Sequence, residues 1–240
     1  MQRFLKKIGR LFMYWCYWVF DYIYVGFWQL AGFLRRGDAS RLIHSGQKQK
    51  NTPVILIPGV YERWEFMKPI AKSIFAAGYD IHVIEGLGYN RGSVEQMAEI
   101  VNQYVREREL KSCVIVAHSK GGLIGKYLLA YCNEERRFIG MTAISTPFTG
   151  SVYAQFLPVS SLRIFAPNSP LLSLLAKNAE VNKHIFSIYG KFDPHIPGGS
   201  FLEGATNIKL QTYGHFRIIK NKAVHREIVR AIGVLTHALK

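Results

Sequence analysis

The sequence is short of acid, of cysteine and of nucleic-acid-binding motifs. It holds 16 Asp and Glu residues against 31 Lys and Arg, for a formal net charge of +15. Such an excess suits an anionic partner, either nucleic acid or an acidic membrane surface. No C2H2 or RNP-type motif is present, and no isolated basic helix carries spaced side chains that could read bases. Nucleic acid is therefore not an expected partner. The three cysteines, Cys16, Cys113 and Cys132, are odd in number and show no CxxC spacing. That argues against a disulfide framework and against a zinc site, and no metal or cofactor is expected. Tandem repeats and low-complexity tracts are also missing.

What remains is apolar and aromatic. Hydrophobic residues make up 49% of 240 positions, enough for a sizeable core, and the length fits one large α/β domain with appended pieces or two small domains. Residues 11–34, LFMYWCYWVFDYIYVGFWQLAGFL, are interrupted only by Asp21 and Gln29. As a helix the run would be roughly 36 Å long, enough to cross a bilayer. It is long for a signal-peptide core, and no A-x-A-like cleavage site follows it. Arg3, Lys6, Lys7 and Arg10 precede it, and Arg35, Arg36 and Arg41 follow it.

An acid in mid-run is costly in lipid, about 2.5–3.5 kcal/mol on insertion scales. Arg10, Tyr14, Tyr17, Asp21, Tyr24 and Trp28 recur at 4-3-4-3-4 spacing and so form one stripe of a helix. Three readings follow: a helix lying in the membrane interface, a spanning helix, or a helix docking its polar seam on the rest of the protein. The expected organisation is a membrane-associated segment over residues 1–36, a linker over 37–52 and an α/β domain over 53–240. The domain is expected on the cytoplasmic face of the membrane. Deleting residues 1–36 is expected to release it from membranes without destroying its catalytic triad.

After Pro53 the pattern alternates. VILI (54–57), IHVIEG (81–86), CVIVAHS (113–119), FIGMTAIS (138–145), HIFSIYG (184–190) and NIKLQTYG (207–214) read as strands. Residues 64–77, 93–108, 120–132 and 222–238 read as helices, with Ser93 capping the second. Alternating strands and helices predict a mostly parallel sheet of about six strands with helices on both faces. Loops after the strands' carboxyl ends then share one rim, where catalytic groups belong.

Ser119 follows a strand and precedes a helix in VIVAHSKGGLIG, the context of a nucleophile elbow. Residues two before and two after the serine pack closely there, and Ala117 and Gly121 are small enough. A helix starting at Lys120 aims its N-terminal N–H groups at the site. Acyl transfer needs two N–H donors for the developing oxyanion. The backbone of Lys120 supplies one candidate. Val60, in Pro58-Gly59-Val60 after the first strand, supplies the other.

Serine needs a base, and His215 stands right after the last strand in TYGHFRII. His195 is its rival. His118 is expected to be structural, its side chain turned away from the elbow. The base in turn needs a carboxylate to fix its tautomer. Asp193, in IYGKFDPHIP, lies just past the fifth strand, and Glu85 is the runner-up.

The stretches IPGV (57–60), AHSKGG (117–122), GKFDPHIP (190–197) and YGHF (213–216) resemble the α/β-hydrolase fold, specifically its lipase- and esterase-like members. The resemblance covers roughly residues 52–238. It implies Ser119 as nucleophile, His215 as base, Asp193 as orienting acid, and Val60 and Lys120 as backbone oxyanion donors. Proline stands where the family usually has histidine before Gly59, and alanine replaces the first elbow glycine. The family's initial antiparallel strands are not visible.

The resemblance also makes residues 148–183, rich in Leu and Phe, a cap over the site. An apolar cap suits an acyl chain. The expected function is hydrolysis of carboxylic esters, lipid-like in their acyl part. Acyl transfer with the same triad and non-catalytic lipid binding on the same fold are the alternatives.

Overall fold

The protein is described by a computed structural model at residues 14–26, 50–156 and 158–238. Six strands form one sheet: β1 (Lys50–Ile57), β2 (Tyr79–Val83), β3 (Cys113–His118), β4 (Phe138–Ile144), β5 (Ile185–Phe192) and β6 (Thr206–Tyr213). Their order is β2-β1-β3-β4-β5-β6, and every neighbouring pair is parallel. Each of the six expected strands is present. β1 starts at Lys50, so the last three residues of the expected linker belong to it. Pro53, which has no N–H to give, sits where the β1–β2 register shifts. Residues 37–49 of that linker lie outside the described residues.

The helices are α1 (residues 14–26), α2 (Lys68–Ala76), α3 (Val94–Glu107), α4 (Lys120–Tyr131), α5 (Ser160–Arg163), α6 (Pro170–Ala176) and α7 (Lys222–His237). The expected helix 64–77 divides into a 3-10 turn, Trp64–Met67, and α2. Pro69 lies in the first turn of α2, where a missing N–H costs nothing. Ser93 caps α3 in a full capping box: its hydroxyl accepts the Gln96 N–H, and Gln96 Oε1 accepts the Ser93 N–H.

Strand side chains alternate between two cores. Ile55, Ile57, Ile115 and Ala117 face α3, α4 and the segment between β4 and β5. Val54, Leu56, Val114 and Val116 face α2 and α7. Burial on both faces is why these strands read as continuous apolar runs. The chain steps from β1 outward to β2, then returns past β1 to β3. The loops after β1 and β3 therefore diverge from one crevice, where open α/β sheets take ligands.

α1 docks on the domain with the stripe seen in the sequence. Tyr14 stacks on Phe192 at 4.0 Å and Tyr17 on Tyr213 at 4.7 Å. Tyr24 meets the edge of Phe66 at 5.9 Å, and Asp21 is 0% exposed. The opposite side is bare, with Trp15 at 66% and Ile23 at 61% exposure. Among the described residues no helix is long and apolar enough to cross a membrane. Residues 11–13 and 27–34 of the apolar run, and the basic residues flanking it, lie outside the described residues.

Candidate active site

Ser119 lies at the turn between β3 and α4. Ser119 follows β3 directly and starts α4 with φ 51° and ψ −120°, a strained backbone for a residue with a Cβ. A Cβ at Gly121 would overlap the Ile57 carbonyl oxygen, so only glycine lets α4 pass β1 this closely. Ala117 is fully buried, and its single methyl fits beneath the turn.

Three loops at the carboxyl rim bring the remaining groups together. His215 Nε2 lies 2.9 Å from Ser119 Oγ. Its Nδ1 lies 2.7 Å from Asp193 Oδ2, one residue past β5. A carboxylate only accepts, so Nδ1 carries the proton and Nε2 faces the serine hydroxyl as an acceptor. The other Asp193 oxygen accepts the N–H groups of His195 and Ile196, at 2.8 and 3.0 Å.

Burial disfavours the charged form of His215, but the charge and hydrogen bond of Asp193 outweigh it. Asp21 and Glu62 add to that, and the imidazole is held above the ordinary histidine value. Burial pushes the Asp193 carboxyl up, but the charge and hydrogen bond of His215, with the hydrogen bond from the His195 backbone N–H, bring it below the ordinary carboxylate value.

His195 does not reach the serine. Its Nε2 bonds the Tyr22 hydroxyl at 3.0 Å, and its ring stacks on Trp18 at 5.1 Å. Burial, reinforced by His215, lowers its pKa to about 3, so it stays neutral beside His215. Glu85 lies in a 3-10 turn after β2, exposed and away from the cluster. Asp193, His195 and His215 are the one trio among the described residues whose ligand atoms lie within 4.8 Å of one another, the spacing a metal site needs. Asp193 and His215 are already hydrogen-bonded to each other there.

The Pro58-Gly59-Val60 turn is held by Glu62, whose Oε2 accepts the Gly59 N–H at 2.7 Å. The Tyr61 N–H bonds the Tyr89 carbonyl at 2.8 Å. Between them, the Val60 N–H takes no partner among the described residues, and Val60 lines the same cavity as Ser119. The Lys120 N–H, first in α4, is likewise unpartnered among the described residues. The Lys120 ammonium points away, to the carbonyls of Asn90 and Gly92 at 2.8 and 2.5 Å, and burial lowers its pKa to about 8.

His118 is structural, as expected, and it links two of these loops. Its Nε2–H donates to the His215 carbonyl at 3.0 Å, and its Nδ1 meets Glu62 Oε2 at 2.9 Å. Glu62 and Asp21 are the residues that sequence reasoning did not connect to the site. Asp21 accepts the backbone N–H groups of His215, Phe216 and Arg217. Its signal was in the chain: an acid in mid-stripe of an aromatic run. The N-terminal segment expected as a membrane attachment also contributes here, because α1 lines the cavity and Asp21 holds the His215 loop.

Ser119 and His215 open into a cavity of about 590 Å³. Its walls are mostly apolar and rich in aromatic side chains, including Trp18 and Tyr22 from α1, Phe156 and Phe165 from the expected cap, and Phe216. Glu62, Arg63 and Glu65 supply charge on one side.

No protein-family profile matches the sequence, and no curated protein does either. Solved structures do match. A lipase from Bacillus licheniformis is 15% identical with a TM-score of 0.58, over 79% of this chain and 94% of its own. A monoacylglycerol lipase from Paleococcus ferrophilus is 13% identical with a TM-score of 0.56, over 78% and 96%. A membrane phospholipase A that is a bacterial virulence factor is 12% identical with a TM-score of 0.55, over 98% and 99%. The chain has the α/β-hydrolase fold.

Proposed function

We propose that the protein is a serine hydrolase of carboxylic esters whose substrates carry an acyl chain. One observation carries this reading: the Ser119–His215–Asp193 hydrogen-bond chain, set on a strained elbow, opens into an apolar cavity. Ser119 Oγ attacks the acyl carbonyl while His215 Nε2 takes its proton. The Val60 and Lys120 N–H groups receive the oxyanion. Asp193 stabilises the imidazolium, which then protonates the leaving alcohol. Water, activated by the same imidazole, releases the acyl group. The lipases among the structural neighbours support acyl-lipid substrates.

The protein is expected to act at a membrane, on its cytoplasmic face, held there by residues 1–36. The bare aromatic side of α1 and the net charge of +15 support that location.

A fluorophosphonate probe tests the chemistry. The wild-type protein should label at Ser119, and Ser119→Ala should lose labelling and about 10⁴–10⁶-fold of its ester turnover. Undiminished turnover in that variant would overturn the assignment.

A further inference from the structure

Asp21 is the one acid in the 11–34 run, and the fold spends it inside the protein. Its carboxylate is 0% exposed. Oδ2 accepts the His215 N–H at 2.7 Å, and Oδ1 accepts those of Phe216 and Arg217, both at 3.0 Å. The acceptor and the first donor are 194 positions apart. Three consecutive backbone N–H groups converging on one carboxylate form a small anion nest.

Gly214 makes the approach possible. Its φ is +97°, and a Cβ there would lie 2.7 Å from Asp21 Oδ1. The glycine of YGHF therefore serves the N-terminal helix. The rest of α1 closes around the same loop: Tyr17 stacks on Tyr213, and the Tyr22 hydroxyl bonds His195. A buried carboxylate without donors would be expensive, so docking of α1 and shaping of the loop depend on each other.

We propose that Asp21 is a positioning residue for His215, so that the N-terminal helix is a working part of the active site and activity requires it to be docked. This rests on the serine hydrolase reading of Ser119 and His215. A loop-end shift of an ångström at His215 would lengthen the 2.9 Å contact to Ser119 and lose the proton-transfer geometry. The Asp21 charge also acts on the imidazole, alongside Asp193 and Glu62; the His118 and His195 rings lie 5.0 and 4.9 Å from it, and the Arg217 guanidinium is 3.9 Å from Asp21. Like Asp193 and Glu62, Asp21 favours the protonated ring, so neutralising it should lower the pKa of His215.

The test uses the full chain and Asp21→Asn, which keeps the shape and one acceptor but removes the charge. With a short p-nitrophenyl ester, kcat should fall about 10–100-fold while KM changes less than about threefold. Titration of the His215 ring by NMR should show its pKa lowered relative to wild type. Hydrogen exchange should speed up at the 215–217 amides and stay unchanged in β3 and β4. Wild-type kcat with an unmoved His215 titration would overturn the proposal. So would loss of the folded state in Asp21→Asn, since that marks a global structural role.

The hydrolase reading fails separately, when the wild-type protein does not label at Ser119. The NMR and exchange results then decide the Asp21 contacts alone, with the same expected and overturning outcomes.

Discussion

His215 is where the charges of the site meet, and its environment makes a testable statement about pH. Asp193, Asp21 and Glu62 together hold the ring above the ordinary value despite burial. A base must be neutral to accept a proton. Activity should therefore rise with pH through a pKa above the ordinary 6.5, and kcat/KM should fall as pH drops below it. Asp193→Asn removes the largest influence holding the ring up. It should move this acidic limb to lower pH and reduce kcat by about 10⁴-fold. A pH–rate profile of both proteins reads the two effects together. Ser119, His215 and Asp193 were legible in the chain because each lies within two residues of the end of a strand. Glu62 and Asp21 were not, because folding alone brings Glu62 to the His118 ring and Asp21 to the backbone of the His215 loop.

The elements follow apolar periodicity closely, and their misreadings have local causes. The start of β1 was missed because Lys50, Asn51 and Thr52 are polar, although Lys50 pairs with Tyr79 of β2 and the other two fill the register shift before Pro53. The 64–77 helix was read as one piece because its apolar spacing runs through Pro69, which begins a new helix there. The Ser93 cap was legible because Ser at the N-cap with Gln three residues on is a purely local arrangement. Ser93→Ala should cost about 1 kcal/mol, a lowering of the melting temperature of about 2–4 °C for a chain of this size. Its rate of labelling by the fluorophosphonate should match wild type, since α3 carries no group of the site. Thermal unfolding followed by circular dichroism, with the labelling assay beside it, checks both.

For the molecule as a whole, the N-terminal segment is the part whose meaning the fold changed most. A simple tether could be removed without affecting hydrolysis of a soluble ester. Here the deletion of residues 1–36 takes away Trp18 and Tyr22 from the cavity wall and Asp21 from the His215 loop. Turnover of a short, soluble ester should then drop about 10²-fold even in the absence of any membrane. Full activity of the truncated chain on that ester would count against α1 as part of the site. On the full chain, a panel of esters of graded acyl length should show kcat/KM rising as the chain fills the aromatic cavity.

The order of strands and helices, the elbow and the candidate triad were determined by the sequence alone. They depend on periodicity, on small residues around a turn, and on which residue follows each strand. The closing of α1 over the loop of His215 was decided only by the tertiary structure. The 4-3-4 stripe showed that one face of the helix was polar, but a seam of that kind fits a bilayer interface as well as a protein surface. What separates the two is the supply of donors for a buried carboxylate. Three backbone N–H groups, turned the same way past Gly214 and almost two hundred residues distant, meet Asp21 only in the folded chain.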